Sequence, residues 1–259
     1  YIKKIILKNQ KKFTNEYTNN SKEFFNSGYA IIKKKDIKSF QLKKCNLEFD
    51  IYNKLLKKNK ISFFKVSKKI IDFGTKSELK KIKKFIKNYK KRYIILLDRD
   101  GVINIDYGYI NKFSKIKFIK EIFKIIKICN DLRMPIFVIT NQSGISRGFF
   151  TEKKLLDIND QIQKYFLSKN IYVHKFYYCP HHIDGKINKY KFRCSCRKPK
   201  IGLFKKLKKE WFLNSKKSLM LGDKLSDEKF AKKISSDFLY VKNNRINVSK
   251  IIKKIKKNV

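Results

Sequence analysis

The chain has 259 residues, 42% of them hydrophobic, enough for a packed core in one large domain or two small ones. Gly and Pro are scarce, which excludes a disordered or collagen-like polypeptide. Its formal charge of +45, from 66 Lys and Arg against 21 Asp and Glu, first suggests a nucleic-acid binder. The excess is nearly all Lys, however, spread along the polar faces of predicted helices and joined by enrichment in Asn, Ile, Phe and Tyr. That is the mark of a biased coding composition, and its milder consequence is attraction of small phosphorylated anions.

Up to about Lys91 the pattern gives a polar opening, a strand at Tyr29–Ile32 and an amphipathic helix near Phe49–Leu56. Short strands follow at Ile61–Val66 and Ile70–Phe73, then a helix over Leu79–Tyr89. From Lys91 onward strand and helix alternate. Strands are predicted at Tyr93–Leu97, Ile136–Ile139, Phe176–Tyr178, Ser218–Leu221 and Phe238–Val241. Helices are predicted at Ile119–Leu132, from Thr151 as N-cap to about Leu167, and at Ile201–Phe212, Asp227–Ile234 and Val248–Lys256. This alternation predicts an α/β fold, a parallel sheet with helices on both faces. The organisation is therefore two-part, with residues 1–90 preceding an α/β domain over residues 91–259.

No segment has the length or apolarity of a membrane span, and no secretory pattern opens the chain. Three of the five cysteines crowd beside two histidines, which is metal arithmetic and suits a cytoplasmic protein.

Acidic residues are few, yet they fall at strand ends. Asp98 and Asp100 follow the first strand of the second part in LLDRDG, and Asp223 follows SLML in LGDKLSDE. Ligands of open α/β sheets bind beyond the carboxyl ends of the strands, and carboxylates gathered there repel one another unless a cation such as Mg²⁺ sits among them. Asp98 is the natural nucleophile, able to accept a phosphoryl group as an aspartyl-phosphate. Asp100 is placed to protonate the leaving alcohol and then to deprotonate the hydrolytic water. Thr140 offers a hydroxyl to phosphoryl oxygens, and Lys198 supplies compensating positive charge. Cys179, His181, Cys194 and Cys196 read C-x-H, then C-x-C after twelve residues, a set suited to a closed structural Zn²⁺ site that places Arg197 and Lys198. His182 remains an alternative ligand on spacing alone. Cys129 belongs to an apolar helix and His174 to the surface.

The strings LLDRDG, VITNQSG, CRKP and LGDKLSD resemble the haloacid-dehalogenase superfamily of phosphatases. Within it, DYGYI at Asp106–Ile110, TNQSGISRG at Thr140–Gly148, YYCPHH at Tyr177–His182 and CSCRKP at Cys194–Pro199 resemble the heptose 1,7-bisphosphate 7-phosphatase family. The histidinol-phosphate phosphatases are the runner-up. The resemblance implies a Rossmann-like fold with a minimal cap and an inserted zinc loop. It also implies removal of the C7 phosphate, a catalytic Mg²⁺ and a structural Zn²⁺. The Mg²⁺ ligands would be Asp98, the backbone carbonyl of Asp100, and Asp223, with Lys224 adjacent and Asp227 orienting neighbours. Asp106, Tyr107, Gly108, Tyr109, Thr140, Asn141, Gln142, Ser143, Arg197 and Lys198 would bind the substrate, and His181 is the histidine selected for zinc. A small phosphorylated sugar is the partner implied, with no membrane partner and a monomeric state.

Before it, FFNSGYAII at Phe24–Ile32 and IIDFGTKSEL at Ile70–Leu79 resemble the C-terminal end of sugar-phosphate nucleotidyltransferases. The matching residues are Asn26, Gly28, Tyr29, Leu47, Glu48, Asp72, Gly74, Thr75 and Glu78. The glycine-rich nucleotide-binding start of that family is missing, so no transferase activity is expected. The two resemblances together imply a piece of a longer bifunctional chain.

Overall fold

The structure is a computed structural model that describes residues 7–8, 10–14, 23–25, 32, 47–58, 76–90, 92–213 and 217–258. Contacts divide the chain into Tyr1–Leu79 and Lys80–Val259.

In the first unit, β1 (Leu7–Lys8), β2 (Gln10–Thr14) and β3 (Glu23–Phe25) form an antiparallel sheet in that order. The sequence pattern assigns no element to this Lys-rich opening, because it lacks the apolar alternation that marks a half-buried strand. A π-helical turn, Leu47–Tyr52, leads into α1 (Asn53–Lys57) and buries Ile51, Tyr52 and Leu55, as the expected helix requires. The strands expected at Ile61–Val66 and Ile70–Phe73, and all but Ile32 of Tyr29–Ile32, lie outside the described residues. So do the resemblance residues Asn26, Gly28, Tyr29, Asp72, Gly74 and Thr75. Helix α2 (Lys76–Lys90) crosses the division between the units.

The second unit is built on a five-stranded parallel sheet: β4 (Ile94–Leu97), β5 (Ile136–Asn141), β6 (Lys175–Cys179), β7 (Ser218–Gly222) and β8 (Asp237–Tyr240). The spatial order is β6-β5-β4-β7-β8, so β4 is central and pairs with β5 on one side and β7 on the other. All four residues of β4 are buried, because alternate side chains enter different cores. Ile95 and Leu97 pack with α3 (Glu121–Asp131), α4 (Glu152–Ser168) and α7 (Val248–Lys256). Ile94 and Leu96 pack with α5 (Gly202–Glu210) and α6 (Leu225–Lys233). Helices therefore cover both faces, as the strand–helix alternation predicts.

These Lys-rich helices hold by their apolar stripes. Ile122, Ile125, Ile126 and Cys129 of α3 are all buried, and a buried Ile contributes about 1.5–3 kcal/mol. Thr151 caps α4 by accepting a hydrogen bond from the Lys154 N–H at 3.2 Å, and Asn247 caps α7 through the Lys250 N–H at 2.9 Å. Among the described residues no further domain is inserted between β4 and α3 or between β5 and α4; the segments after β4 and β6 are long loops carrying the 3-10 turns Phe113–Lys115 and Asn188–Tyr190. No helix among them is long and apolar enough to cross a membrane.

One expectation is corrected here. His174 is not a simple surface histidine: its Nδ1 accepts the Ile136 N–H at 3.1 Å, and its ring packs between Tyr172, Phe137 and Trp211.

Candidate active site

The chain leaves β4 at Asp98, β5 presents Thr140 near its end, and β7 ends one residue before Asp223. The chain runs from β4 to β5 toward one edge and from β7 to β8 toward the other, so the gap between β4 and β7 is the switch position where open α/β sheets bind ligands. The Asp98 N–H donates to the Leu221 carbonyl at 3.0 Å, which ties the Asp98 loop to the neighbouring strand. Gly101 has φ +86°, and a Cβ there would lie 2.3 Å from the Asp223 carboxyl carbon. Only glycine lets the two acidic loops approach so closely. Gly222 does the same for Asp227, whose Cβ would stand 2.3 Å from an added methyl.

Lys198 joins the acids. Its Nζ lies 3.0 Å from Asp98 Oδ1 and 2.6 Å from Asp227 Oδ1, with both the Lys198 and Asp227 side chains fully buried. Asp227 Oδ2 accepts the Lys224 N–H at 3.1 Å, so both of its oxygens are engaged. Asn141 brackets the Lys198 backbone, accepting its N–H at 2.9 Å and donating to its carbonyl at 3.1 Å.

Carboxylate oxygens of Asp98, Asp223 and Asp227 lie within 4.8 Å of one another. Burial pushes Asp98 up to about 7 against the pull of Lys198, with the charges of Asp227 and Asp100 adding to the rise. Burial raises Asp223 too, again with Asp227 contributing and Lys224 opposing. Asp223 Oδ1 is buried and accepts no hydrogen bond from the described residues. Two ionised nucleophile-site carboxylates are costly together, and an oxygen with no donor is what a hard divalent cation would coordinate. The residues present therefore fit magnesium.

Asp100 sits differently. Arg99, 0% exposed, places its NH2 group 2.8 Å from Asp100 Oδ2 and 3.0 Å from Oδ1, and its Nε 3.1 Å from Oδ1. Asn104 Nδ2 adds a donor to Oδ1 at 3.0 Å, and Gln142 Nε2 one to Oδ2 at 2.7 Å. Burial works against the charged form, yet the Arg99 charge and these hydrogen bonds hold Asp100 below the usual carboxylate range. Arg99, Asn104 and Asn159, whose Oδ1 lies 3.5 Å from Arg99 NH1, are not among the residues that the sequence motifs mark as functional. The available signal was an arginine enclosed between two functional acids.

The segments expected to bind substrate divide into two groups. Asp106, Tyr107, Gly108 and Tyr109 are exposed on a loop. Asp106 accepts the Gly108 N–H at 2.9 Å through Oδ1 and the Lys224 ammonium at 2.7 Å through Oδ2. That pair links the loop to the residue after Asp223, and Lys224 Nζ stands 4.0 Å from Asp223 itself. Burial disfavours the Lys224 ammonium, but the Asp106 hydrogen bond and the Asp223 charge outweigh it and raise its pKa. Tyr107, Gly108, Tyr109, Ile110 and Lys115 line a cavity of about 340 Å³. The side chains of Asn141 and Gln142, by contrast, are committed to protein partners, and Ser143 gives its carbonyl to the Ser146 hydroxyl at 2.9 Å. Thr140 is 1% exposed, and its Oγ1 accepts from Gln142 Nε2 at 2.9 Å.

In the loop after β6, Cys179 Sγ lies 3.1 Å from Cys196 Sγ and 3.5 Å from Cys194 Sγ. His181 Nδ1 lies 3.2 Å from Cys196 Sγ and 3.6 Å from Cys179 Sγ. The four ligand atoms all lie within 4.8 Å of one another. A tetrahedral ion with the usual zinc–sulfur and zinc–nitrogen bonds spaces its ligands roughly 3.4–3.8 Å apart, close to this arrangement. His182 is outside the cluster and accepts the Asp184 N–H at 3.1 Å. Arg197 follows directly, its N–H donating to Cys194 Sγ at 3.4 Å and its NH1 to the His181 carbonyl at 3.3 Å. Cys129 is buried in α3, as its apolar surroundings predict.

A parallel sheet with acids at the ends of β4 and β7, a hydroxyl at β5 and a buried lysine across them defines a phosphatase of the haloacid-dehalogenase type. No protein-family model matches the chain. It is 38% identical over 135 residues to the D-glycero-β-D-manno-heptose-1,7-bisphosphate 7-phosphatase of Haemophilus influenzae, covering 52% of this chain and 73% of that protein. It is 39% identical over 137 residues to the corresponding α-anomer enzyme of Campylobacter jejuni, covering 53% and 74%. Among solved structures, the D,D-heptose 1,7-bisphosphate phosphatase of B. bronchiseptica in complex with magnesium and phosphate matches with a TM-score of 0.50 and 25% identity, over 57% of this chain and 78% of that one. A Mesorhizobium loti protein described as a HAD-like phosphatase matches with a TM-score of 0.54 and 29% identity, over 56% and 70%. The chain belongs to the D-glycero-D-manno-heptose-1,7-bisphosphate 7-phosphatase family.

Proposed function

We propose that this chain removes the C7 phosphate of D-glycero-D-manno-heptose 1,7-bisphosphate, with Asp98 as nucleophile. The observation that carries the reading is the Asp98 carboxylate at the central strand end, held by buried Lys198 and within ligand reach of Asp223. Asp98 attacks phosphorus and the bond from phosphorus to the C7 oxygen breaks; that oxygen takes a proton from Asp100, which must first gain it against the pull of Arg99 as the negatively charged ester binds beside it. Water then attacks the aspartyl-phosphate, gives its proton to Asp100, and releases inorganic phosphate and the Asp98 carboxylate. Thr140 and Lys198 hold the phosphoryl oxygens through both steps. Magnesium would be held by Asp98, Asp223 and the Asp100 carbonyl, supplying the charge that keeps Asp98 ionised and offsets the phosphoryl group. The exposed Asp106–Tyr109 loop and Arg197 would receive the sugar. Zinc would occupy the Cys179, His181, Cys194 and Cys196 set and fix the loop that carries Arg197 and Lys198.

Phosphate release from the α and β anomers of the heptose bisphosphate, fructose 1,6-bisphosphate and histidinol phosphate tests the reading. Both anomers belong in the panel because relatives of both kinds match at 38 and 39% identity. The heptose esters should be preferred and should require magnesium. Preference for histidinol phosphate, or no turnover of any ester, overturns it.

Residues 91–259 are read as the phosphatase domain and residues 1–90 as a separate segment related to nucleotidyltransferases. The second assignment rests on the Asn26–Tyr29, Leu47–Glu48 and Asp72–Glu78 matches alone, and the relatives above add nothing to it. A chain starting at Lys91 that keeps full phosphatase activity would support the division.

A further inference from the structure

Gln142 and Arg99 have work that the expected substrate contacts do not describe. Gln142 is 4% exposed, so its amide faces protein and not solvent. Its Nε2 donates twice, to Asp100 Oδ2 at 2.7 Å and to Thr140 Oγ1 at 2.9 Å. Its Oε1 accepts from Arg99 NH2 at 3.1 Å. These partners fix the orientation of the amide. A carboxylate only accepts and a guanidinium only donates, so the nitrogen must face Asp100 and the oxygen must face Arg99. Arg99 is itself held by its fork on Asp100 and by Asn159.

We propose that Gln142 and Arg99 are positioning residues that set the acid/base carboxyl of Asp100 at a fixed distance from the phosphoryl-binding hydroxyl of Thr140. The inference rests on the roles given above to Asp100 and Thr140. One amide nitrogen touches both groups, so Asp100 Oδ2 and Thr140 Oγ1 cannot be further apart than its two hydrogen bonds together allow. The Thr140 oxygen accepts from Gln142, which leaves its own hydrogen to donate to a phosphoryl oxygen. Asp100 keeps 17% of its side chain accessible although both of its oxygens accept from Arg99, Asn104 or Gln142. Arg99 locks the amide from behind. The pair therefore controls where the proton is delivered, and touches neither phosphorus nor the leaving group.

The test compares two esters by kcat/KM, which reports the phosphoryl-transfer step. The C7 ester of the heptose bisphosphate has an alkoxide leaving group that needs a proton. p-Nitrophenyl phosphate has a leaving group that departs without one. Gln142→Met keeps the volume and removes both hydrogen-bond donors; Arg99→Lys keeps the charge and removes the fork. In each variant the heptose ester should lose at least tenfold more than the aryl ester, general acid catalysis contributing about 10²-fold or more. Turnover of the aryl ester by the same variant certifies that it is folded. Equal losses on the two esters, or loss of both to nothing in both variants, overturn the proposal. A wild-type protein that hydrolyses neither ester in magnesium instead overturns the functional reading beneath it.

Discussion

The Lys198 ammonium stands 2.6 Å from the Asp227 carboxylate, and neither side chain reaches solvent. A third group, Asp98, shares the same ammonium at 3.0 Å. One cation is therefore buried between two carboxylates, one at the end of β4 and one in α6. Burial alone would lower the Lys198 pKa, but the two carboxylates more than reverse this and raise it. The lysine therefore stays charged in its buried position.

Removing the cation leaves two buried acids facing each other. Lys198→Met should cost about 3–5 kcal/mol in stability, the usual result of breaking one side of a buried pair. It should also abolish turnover. Lys198→Met combined with Asp227→Leu should recover much of the stability and none of the activity. Urea denaturation of the two variants, with phosphate release measured on each, separates the roles. A double variant no more stable than the single one would show that Asp227 is not the partner that matters.

Asp98→Asn should lower turnover by at least ~10³-fold with little change in melting temperature, since the amide keeps the size but not the nucleophile. Asp223→Asn should instead raise the magnesium concentration needed for half-maximal rate. The measurements are steady-state rates over a magnesium titration. A normal magnesium dependence in the Asp223 variant removes it from the metal shell.

Metal analysis of the purified protein should find about one zinc per chain. Cys196→Ser should release it and destabilise the loop that carries Arg197 and Lys198, costing at least ~2 kcal/mol or ~4–8 °C in Tm. A protein that binds no zinc, with a Cys196→Ser variant of unchanged Tm, contradicts the assignment.

Asp237 makes stability depend on acid. Its carboxylate accepts the Tyr93 hydroxyl at 2.8 Å and pairs with Lys254 at 2.7 Å, joining β8 to β4 and α7. Burial opposes ionisation, but the Lys254 and Tyr93 hydrogen bonds prevail and hold its pKa low. A depressed folded pKa means the contribution is complete above the unfolded value of about 4 and is lost as pH falls through the lower folded value. Asp237→Asn should thus be less stable than wild type at neutral pH, and the gap should close toward pH ~2. Urea melts across that range give the answer; a gap that widens in acid reverses the sign and the assignment.

Much of this molecule is legible in its residues. The five strand–helix repeats from Tyr93 onward follow from apolar runs and stripes, because a strand buried on both faces and a helix buried on one leave different periods. The acids at the ends of β4 and β7 are equally visible, since carboxylates are rare here and Asp98 and Asp223 fall directly after strands. Cys179, His181, Cys194 and Cys196 stand out by spacing.

What a linear reading assigned loosely was the direction in which each polar side chain points. Asn141 and Gln142 lie in a string expected to bind substrate, yet one holds the Lys198 backbone and the other spans Asp100 and Thr140. Arg99 is a charged residue in a polar motif, yet it is fully buried under the site. The sequence by itself determined which chemistry is present and at which strand ends. Only the tertiary structure decided which side chains meet it, because a buried polar group takes the partner that packing brings within hydrogen-bond reach, from 43 residues away for Arg99 and Gln142.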